Sequence, residues 1–176
     1  MKLNYEKLLG YPLSSLDIMD MMNNKTKIVT YSDLCKYKNI DDLLTPYENI
    51  ILIYETSPNF GHWVCLFKTP RGNIEFFDSY GLMVDDEKTF ISKSFLNKSG
   101  QKHNYLSKLL YECEYPLEYN DKCLQSEEPQ ISTCGRWCVT RILSKHMKLN
   151  DFIKKYINNG DIKVIDFTQK LINNLN

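Results

Sequence analysis

Gly61-His62-Trp63-Val64-Cys65-Leu66-Phe67-Lys68-Thr69-Pro70-Arg71-Gly72-Asn73-Ile74-Glu75-Phe76-Phe77-Asp78-Ser79 is the stretch that decides the fold. His62 to Phe67 reads as a strand, and Thr69 to Asn73 as a turn built from Pro, Gly and Asn. Ile74 to Asp78 reads as the returning strand, so the whole is a β-hairpin. Residues at the open ends of a hairpin face one another. His62 opens the first strand and Asp78 closes the second, so strand pairing alone brings an imidazole close to a carboxylate. Such an Asp selects the tautomer of the ring and stabilises its charged form. Taken singly, His62 also reads as a surface histidine and Asp78 as a cap for the turn Ser79-Tyr80-Gly81.

Upstream, Asn49 to Glu55 is a near-continuous apolar run, as in a strand buried on both faces. Ile28 to Tyr31 reads as a short strand, Tyr31 to Leu34 as a turn or short helix, and Ile40 to Leu44 as a helix halted by Pro46. A further helix is expected near Ser15, with Ser15 as its cap. Downstream, Asp85 to Gly100 is polar and expected to be irregular. Leu106 to Cys113 reads as helix or strand, and Tyr115 to Asn120 as a short strand. Trp137, Cys138, Arg141, Ile142 and Lys145 recur at helical spacing. Asn150 is expected to cap a helix through Tyr156, and Ile165 to Leu175 to form a last amphipathic helix.

The helix after Thr133 begins at Cys134-Gly135. A thiol at a helix N-terminus meets unpaired backbone N–H groups and the positive end of the dipole, which stabilise a thiolate. Gly135 removes bulk beside the sulfur. A lone cysteine is more often a small buried hydrophobe, and Cys138 on the same helix is expected to be one. A thiolate attacking a carbonyl also needs donors for the oxyanion. The Cys134 N–H is one; Gln125 and Gln130, both preceding the cysteine, are the side-chain candidates.

Composition narrows the setting. The 176 residues, 43% apolar and 25% charged, fit one domain spanning 1–176 with a sizeable core. The 22 basic and 22 acidic residues cancel, so strong DNA binding is not expected. No apolar run approaches the roughly 20 residues that cross a bilayer. Met1 to Glu6 has no apolar core, so secretion is not expected. The six cysteines include no CxxC pair, and their spacing with His103 and His146 fits no zinc pattern, so no metal is expected.

Gly61-His62-Trp63, Phe77-Asp78-Ser79, Gln125-Ser126 and Cys134-Gly135-Arg136-Trp137-Cys138 together resemble the signature blocks of the adenovirus-type (adenain-like) cysteine proteases. These belong to the clan of the SUMO-specific (ubiquitin-like protein) proteases, a papain-like clan permuted to the order His-Asp-Gln-Cys. The resemblance covers roughly residues 50 to 145. It implies an α+β fold, with a central mixed or antiparallel sheet packed between helices and the nucleophile at the N-terminus of a buried helix. It implies Cys134 as nucleophile, His62 as base, Asp78 as the carboxylate that orients it, and Trp63 and Gly135 as site-lining residues. Gln125, nine residues before the cysteine, takes the oxyanion role; Gln130, four before it, is the alternative.

The block Tyr119-Asn120…Leu124-Gln125-Ser126…Cys134-Gly135 resembles the viral branch. The expected activity is therefore that of a maturation endopeptidase acting on viral capsid or core precursors. Such an enzyme would work in the host-cell cytoplasm or viral factory and be packaged in the virion. A ubiquitin-like-protein isopeptidase and a thiol acyltransferase are the alternatives on this fold. The resemblance brings a possible activating peptide or DNA and no other cofactor.

Overall fold

A computed structural model describes residues 3–173. Its helices and strands follow in the order α1 (Tyr5–Leu9), α2 (Ser15–Met21), β1 (Lys27–Thr30), a 3-10 helix (Tyr31–Lys36), α3 (Ile40–Leu44), β2 (Asn49–Ser57), β3 (Phe60–Lys68) and β4 (Ile74–Phe77). A second 3-10 helix (Asp86–Phe90), α4 (Lys93–Lys98), α5 (Tyr105–Tyr111), β5 (Leu117–Tyr119), α6 (Cys134–Leu143), α7 (Leu149–Tyr156) and α8 (Gly160–Asn173) complete it. The strands form one sheet in sequence order. β1 and β2 run parallel, β2–β3 and β3–β4 antiparallel, and β4–β5 parallel, so the sheet is mixed. The hairpin is present, with Cys65 opposite Phe77 and Lys68 opposite Ile74. The fold is thus α+β.

Both faces of the sheet are buried. Ile51, Ile53, Trp63, Cys65, Phe67 and Phe77 pack with α2, α6, α7 and the start of α8. Ile50, Leu52, Val64, Leu66, Ile74 and Phe76 pack with Tyr31 and Leu34 of the first 3-10 helix, with α3 and with α5. Strict alternation of two apolar sets along β2 and β3 is what two covered faces require. A buried pair ties α6 to the sheet: the Arg141 guanidinium donates from Nε and Nη2 to the Glu75 carboxylate at 2.6 and 2.7 Å. Burial pushes Glu75 above the ordinary carboxylate range, with Arg141 pulling it back.

Several boundaries differ from the sequence reading, each for a local reason. Ser14, not Ser15, caps α2, because Asp17 three residues on completes a reciprocal capping box with it. Lys148 rather than Asn150 precedes α7. The last helix starts at Gly160, five residues earlier than read, and Leu175 lies outside the described residues. β3 starts at Phe60, because Phe60 and Gly61 pair with Ser57 and Glu55, and Asp78 lies just past the end of β4. α1 was not expected at all. The stretch Asp85 to Gly100 is not irregular: it contains a 3-10 helix and α4. Its polarity misleads because Asp85, Glu87 and Lys88 are buried, Asp85 and Lys88 on specific hydrogen-bond partners. Among the described residues, no helix is long and apolar enough to cross a membrane.

Candidate active site

Cys134 is the first residue of α6, and every residue from Cys134 to Ile142 is buried. The helix is held in place from outside. Asp161 of α8 accepts from the Trp137 indole at 2.9 Å, from the Ser126 backbone N–H at 2.9 Å, and from the Thr133 hydroxyl. One carboxylate therefore ties the loop before Cys134 to both the helix start and the body of the helix. Gly135 is closely packed: a Cβ there would lie 3.2 Å from Leu13 Cβ and 3.3 Å from Trp63 Cδ1. Trp63 is buried and donates from Nε1 to the Leu13 carbonyl at 3.0 Å, so its indole forms a fixed wall beside the helix start.

His62 sits at the end of β3 where the ladder with β4 has stopped, at Cys65 opposite Phe77. Continuing that register would set Tyr80 opposite His62 and Asp78 on the diagonal. The rings of His62 and Tyr80 do stack at 4.9 Å, and His62 Nε2 lies 3.1 Å from Asp78 Oδ1. Alternation puts His62 on the face of Val64, whereas Cys134 packs on the face of Trp63. Past the end of the β3–β4 ladder, imidazole and thiol meet around the margin of the sheet, both lining one cleft, with Cys134 close enough to favour the charged ring. With Nε2 on Asp78, Nδ1 is the nitrogen left for sulfur. Gly61 permits this strand entry, since a Cβ there would fall 1.9 Å from the Tyr54 carbonyl oxygen of β2.

Burial opposes charging of the His62 ring. The charge and hydrogen bond of Asp78, together with Cys134, outweigh it and hold the ring's pKa well above the usual histidine range. Asp78 is itself fixed, its Oδ1 accepting from the Tyr80 N–H at 2.7 Å and its carbonyl from Asn120 Nδ2 at 2.6 Å. Burial first, and the Cys134 charge next, push the Tyr80 phenol up, which keeps it neutral.

The two glutamines part company. Gln125 is buried and lines the same cleft as Cys134 and His62. Its Oε1 accepts from Ser79 Oγ at 2.8 Å, and Nε2 donates one hydrogen to Tyr80 Oη at 3.0 Å, leaving the other for a ligand. Gln130 is exposed and bonds Glu128. The structure thus brings together Cys134, His62, Asp78, Gln125, Trp63 and Gly135 and leaves Gln130 outside. The cleft lined by Cys134, His62, Gln125 and Trp63 encloses about 550 Å³. All six cysteines are free thiols, and Cys138 is buried in the core, its pKa pushed up by burial. Tyr80, Glu87 and Asp161 escaped the sequence reading. Tyr80 follows from extending the hairpin register; Glu87 and Asp161 lie in segments with no local signal.

The chain is 44% identical over 153 residues to "Uncharacterized protein V9" of Sputnik virophage, covering 87% of this chain and 85% of that protein. It belongs to the family of that virophage protein. No model of a known protein family matches. Among solved structures, similarity extends to the central domain of uncharacterized Lpg1148 from Legionella pneumophila, at 15% identity and TM-score 0.44, covering 92% of this chain and 98% of that one. It extends also to SUMO protease Ulp1 with its catalytic cysteine oxidised to a sulfinic acid, at 15% identity and TM-score 0.38, covering 96% and 85%. At these scores the roles of the residues rest on the site's own geometry.

Proposed function

We propose that this chain is a cysteine endopeptidase of the viral-maturation type, with Cys134 as nucleophile, His62 as general base and acid, Asp78 as its orienting carboxylate and Gln125 as an oxyanion donor. One observation carries the reading: a thiol at a helix N-terminus, an imidazole that bonds a carboxylate and whose charged form that thiol favours, and a primary amide all open onto one cleft. Thiol, base and orienter in hydrogen-bonding sequence are the arrangement that activates a nucleophile.

The chemistry follows from the positions. His62 takes the thiol proton, and the raised ring pKa favours a resting imidazolium–thiolate pair. Sulfur attacks the peptide carbonyl. The oxyanion receives the Cys134 backbone N–H, which has no intrahelical acceptor at this position, and the free hydrogen of Gln125 Nε2. His62 returns its proton to the leaving amine, and water then releases the acyl group from sulfur. The virophage origin of the relative supports a viral setting, with capsid or core precursors as substrates in the infected cell and the particle.

The test is incubation of the protein with candidate structural precursors, with a ubiquitin-like fusion and with acetyl-CoA plus a lysine peptide, read by mass spectrometry. Cleavage of the precursors, lost in Cys134→Ala, is the expected result. Cleavage of the fusion alone would make it an isopeptidase, and acetylation alone a transferase. Full activity of Cys134→Ala would end the proposal.

A further inference from the structure

A second carboxylate stands beside the dyad. Single side-chain ligating atoms of His62, Asp78 and Glu87 all lie within 4.8 Å of one another, and all three residues are buried. Glu87 is 8% exposed, lines the cleft and has no hydrogen bond to its carboxylate among the described residues. We propose that Glu87 is a positioning residue that, together with Asp78, holds His62 in its charged form and so holds the Cys134 thiolate. This rests on the nucleophilic reading of Cys134.

The segment that carries Glu87 is built to keep it there. Asp85, in a left-handed conformation at φ 69°, precedes the 3-10 helix Asp86–Phe90. Its carboxylate accepts from Tyr31 at 2.6 Å, Tyr54 at 3.1 Å and Ser107 Oγ at 2.5 Å. On the other side, Lys88 Nζ donates to the His103 carbonyl at 2.9 Å and Asn104 Oδ1 at 2.6 Å. The neighbouring cation, Lys88, is therefore engaged elsewhere and does not neutralise Glu87. The groups that do face it are His62 from β3 and Asp78 and Tyr80 from the segment after β4; Cys134 from α6 and Glu55 from β2 line the same cleft. Among the described residues, no lysine or arginine lines the cleft. The imidazolium is thus the positive charge that two buried carboxylates share. The pattern of charge agrees: burial pushes the Glu87 carboxyl up, the His62 charge pulls it back and Asp78 raises it again. An anion at this distance stabilises a neighbouring cation by about one pH unit or more.

The chain has three histidines, so ring titration of each is readable by NMR in the full-length protein, with His62 assigned by its loss in His62→Ala. In Glu87→Gln the His62 midpoint is expected to fall by about one pH unit or more, while His103 and His146 stay in place. Glu87→Asp, with a carboxylate one methylene further back, should fall by less. If the Gln variant does not fold, the smaller fall in Glu87→Asp alone scores the proposal. An unmoved His62 midpoint in every variant that folds, with the other two histidines native, would overturn it. Alkylation of Cys134 by iodoacetamide at pH 6, followed by peptide mapping, separates the two readings: a Cys134 no faster than the exposed Cys35 removes the nucleophile, whatever Glu87 does.

Discussion

Trp137 Nε1 and Asp161 Oδ1 are 2.9 Å apart, and the same carboxylate holds the Ser126 N–H and the Thr133 hydroxyl. Helix α8, far along the chain, thereby sets both the tilt of the helix that presents Cys134 and the path of the loop that separates it from Gln125. Asp161→Ala removes three hydrogen bonds at once. It should cost about 1–3 kcal/mol in urea denaturation, because buried donors are left unpaired. Activity should fall further than stability, since the Gln125-to-Cys134 loop loses its anchor; an activity loss smaller than that of Gln130→Ala would contradict this.

The glutamines give a direct contrast. Gln125→Ala should lower kcat about 10²–10³-fold by removing an oxyanion donor. Gln130→Ala, at an exposed position bonded to Glu128, should leave kcat nearly unchanged. Steady-state kinetics on one cleaved peptide decides between them, and the reverse ranking would move the oxyanion role.

The raised pKa of His62 links the site to stability. A group whose folded pKa lies above its unfolded value, about 6.5 for histidine, adds stability that is complete below that pH. The contribution is lost as pH rises through the folded pKa. Denaturant midpoints should therefore decline from about pH 6.5 upward, and the decline should flatten in His62→Ala. Asp78→Asn should show a weaker decline than the native chain and a turnover lower by about 10²–10⁴-fold.

Packing at three glycines predicts a ranking. A Cβ at Gly61 would meet the Tyr54 backbone at 1.9 Å, one at Gly160 the Trp137 ring at 2.5 Å, and one at Gly135 Leu13 Cβ at 3.2 Å. A backbone contact has no rotamer to yield, and the Trp137 ring is pinned by Asp161. Gly61→Ala should therefore be most damaging and Gly160→Ala next. Gly135→Ala should cost about 1 kcal/mol, overpacking being partly offset by alanine's helix propensity. Thermal midpoints of the three variants check the order.

The Glu75–Arg141 pair is fully buried on both sides. Arg141→Met should cost about 3–5 kcal/mol by stranding a buried carboxylate. With the guanidinium gone, Glu75 rises further in pKa, so the folded variant binds a proton that the unfolded chain does not. Its deficit should shrink as pH falls towards the unfolded carboxylate value, about 4.3. Adding Glu75→Gln should recover much of the loss, and a deficit independent of pH would count against the pair's role.

The chain's local chemistry determined a good part of this protein. Alternating apolar residues flanking Thr69 to Asn73 dictate the hairpin, because a period of two with a Pro-Gly-Asn turn has one compact solution. The hairpin in turn brings His62 to Asp78, and the helix after Thr133 puts a thiol at its start. What local pattern could not reach is whatever depends on contacts between distant segments. Gln125 and Gln130 differ only in space: Ser79 and Tyr80 hold the first buried in the cleft, while the second stays exposed. Glu87 joined the site only because Asp85 and Lys88 are drawn into the interior by Tyr31, Tyr54, Ser107 and Asn104. Polar residues in a loop read the same whether they face water or a buried partner. Only the tertiary structure decides which, because the free energy of a charge depends on what surrounds it in space rather than along the chain.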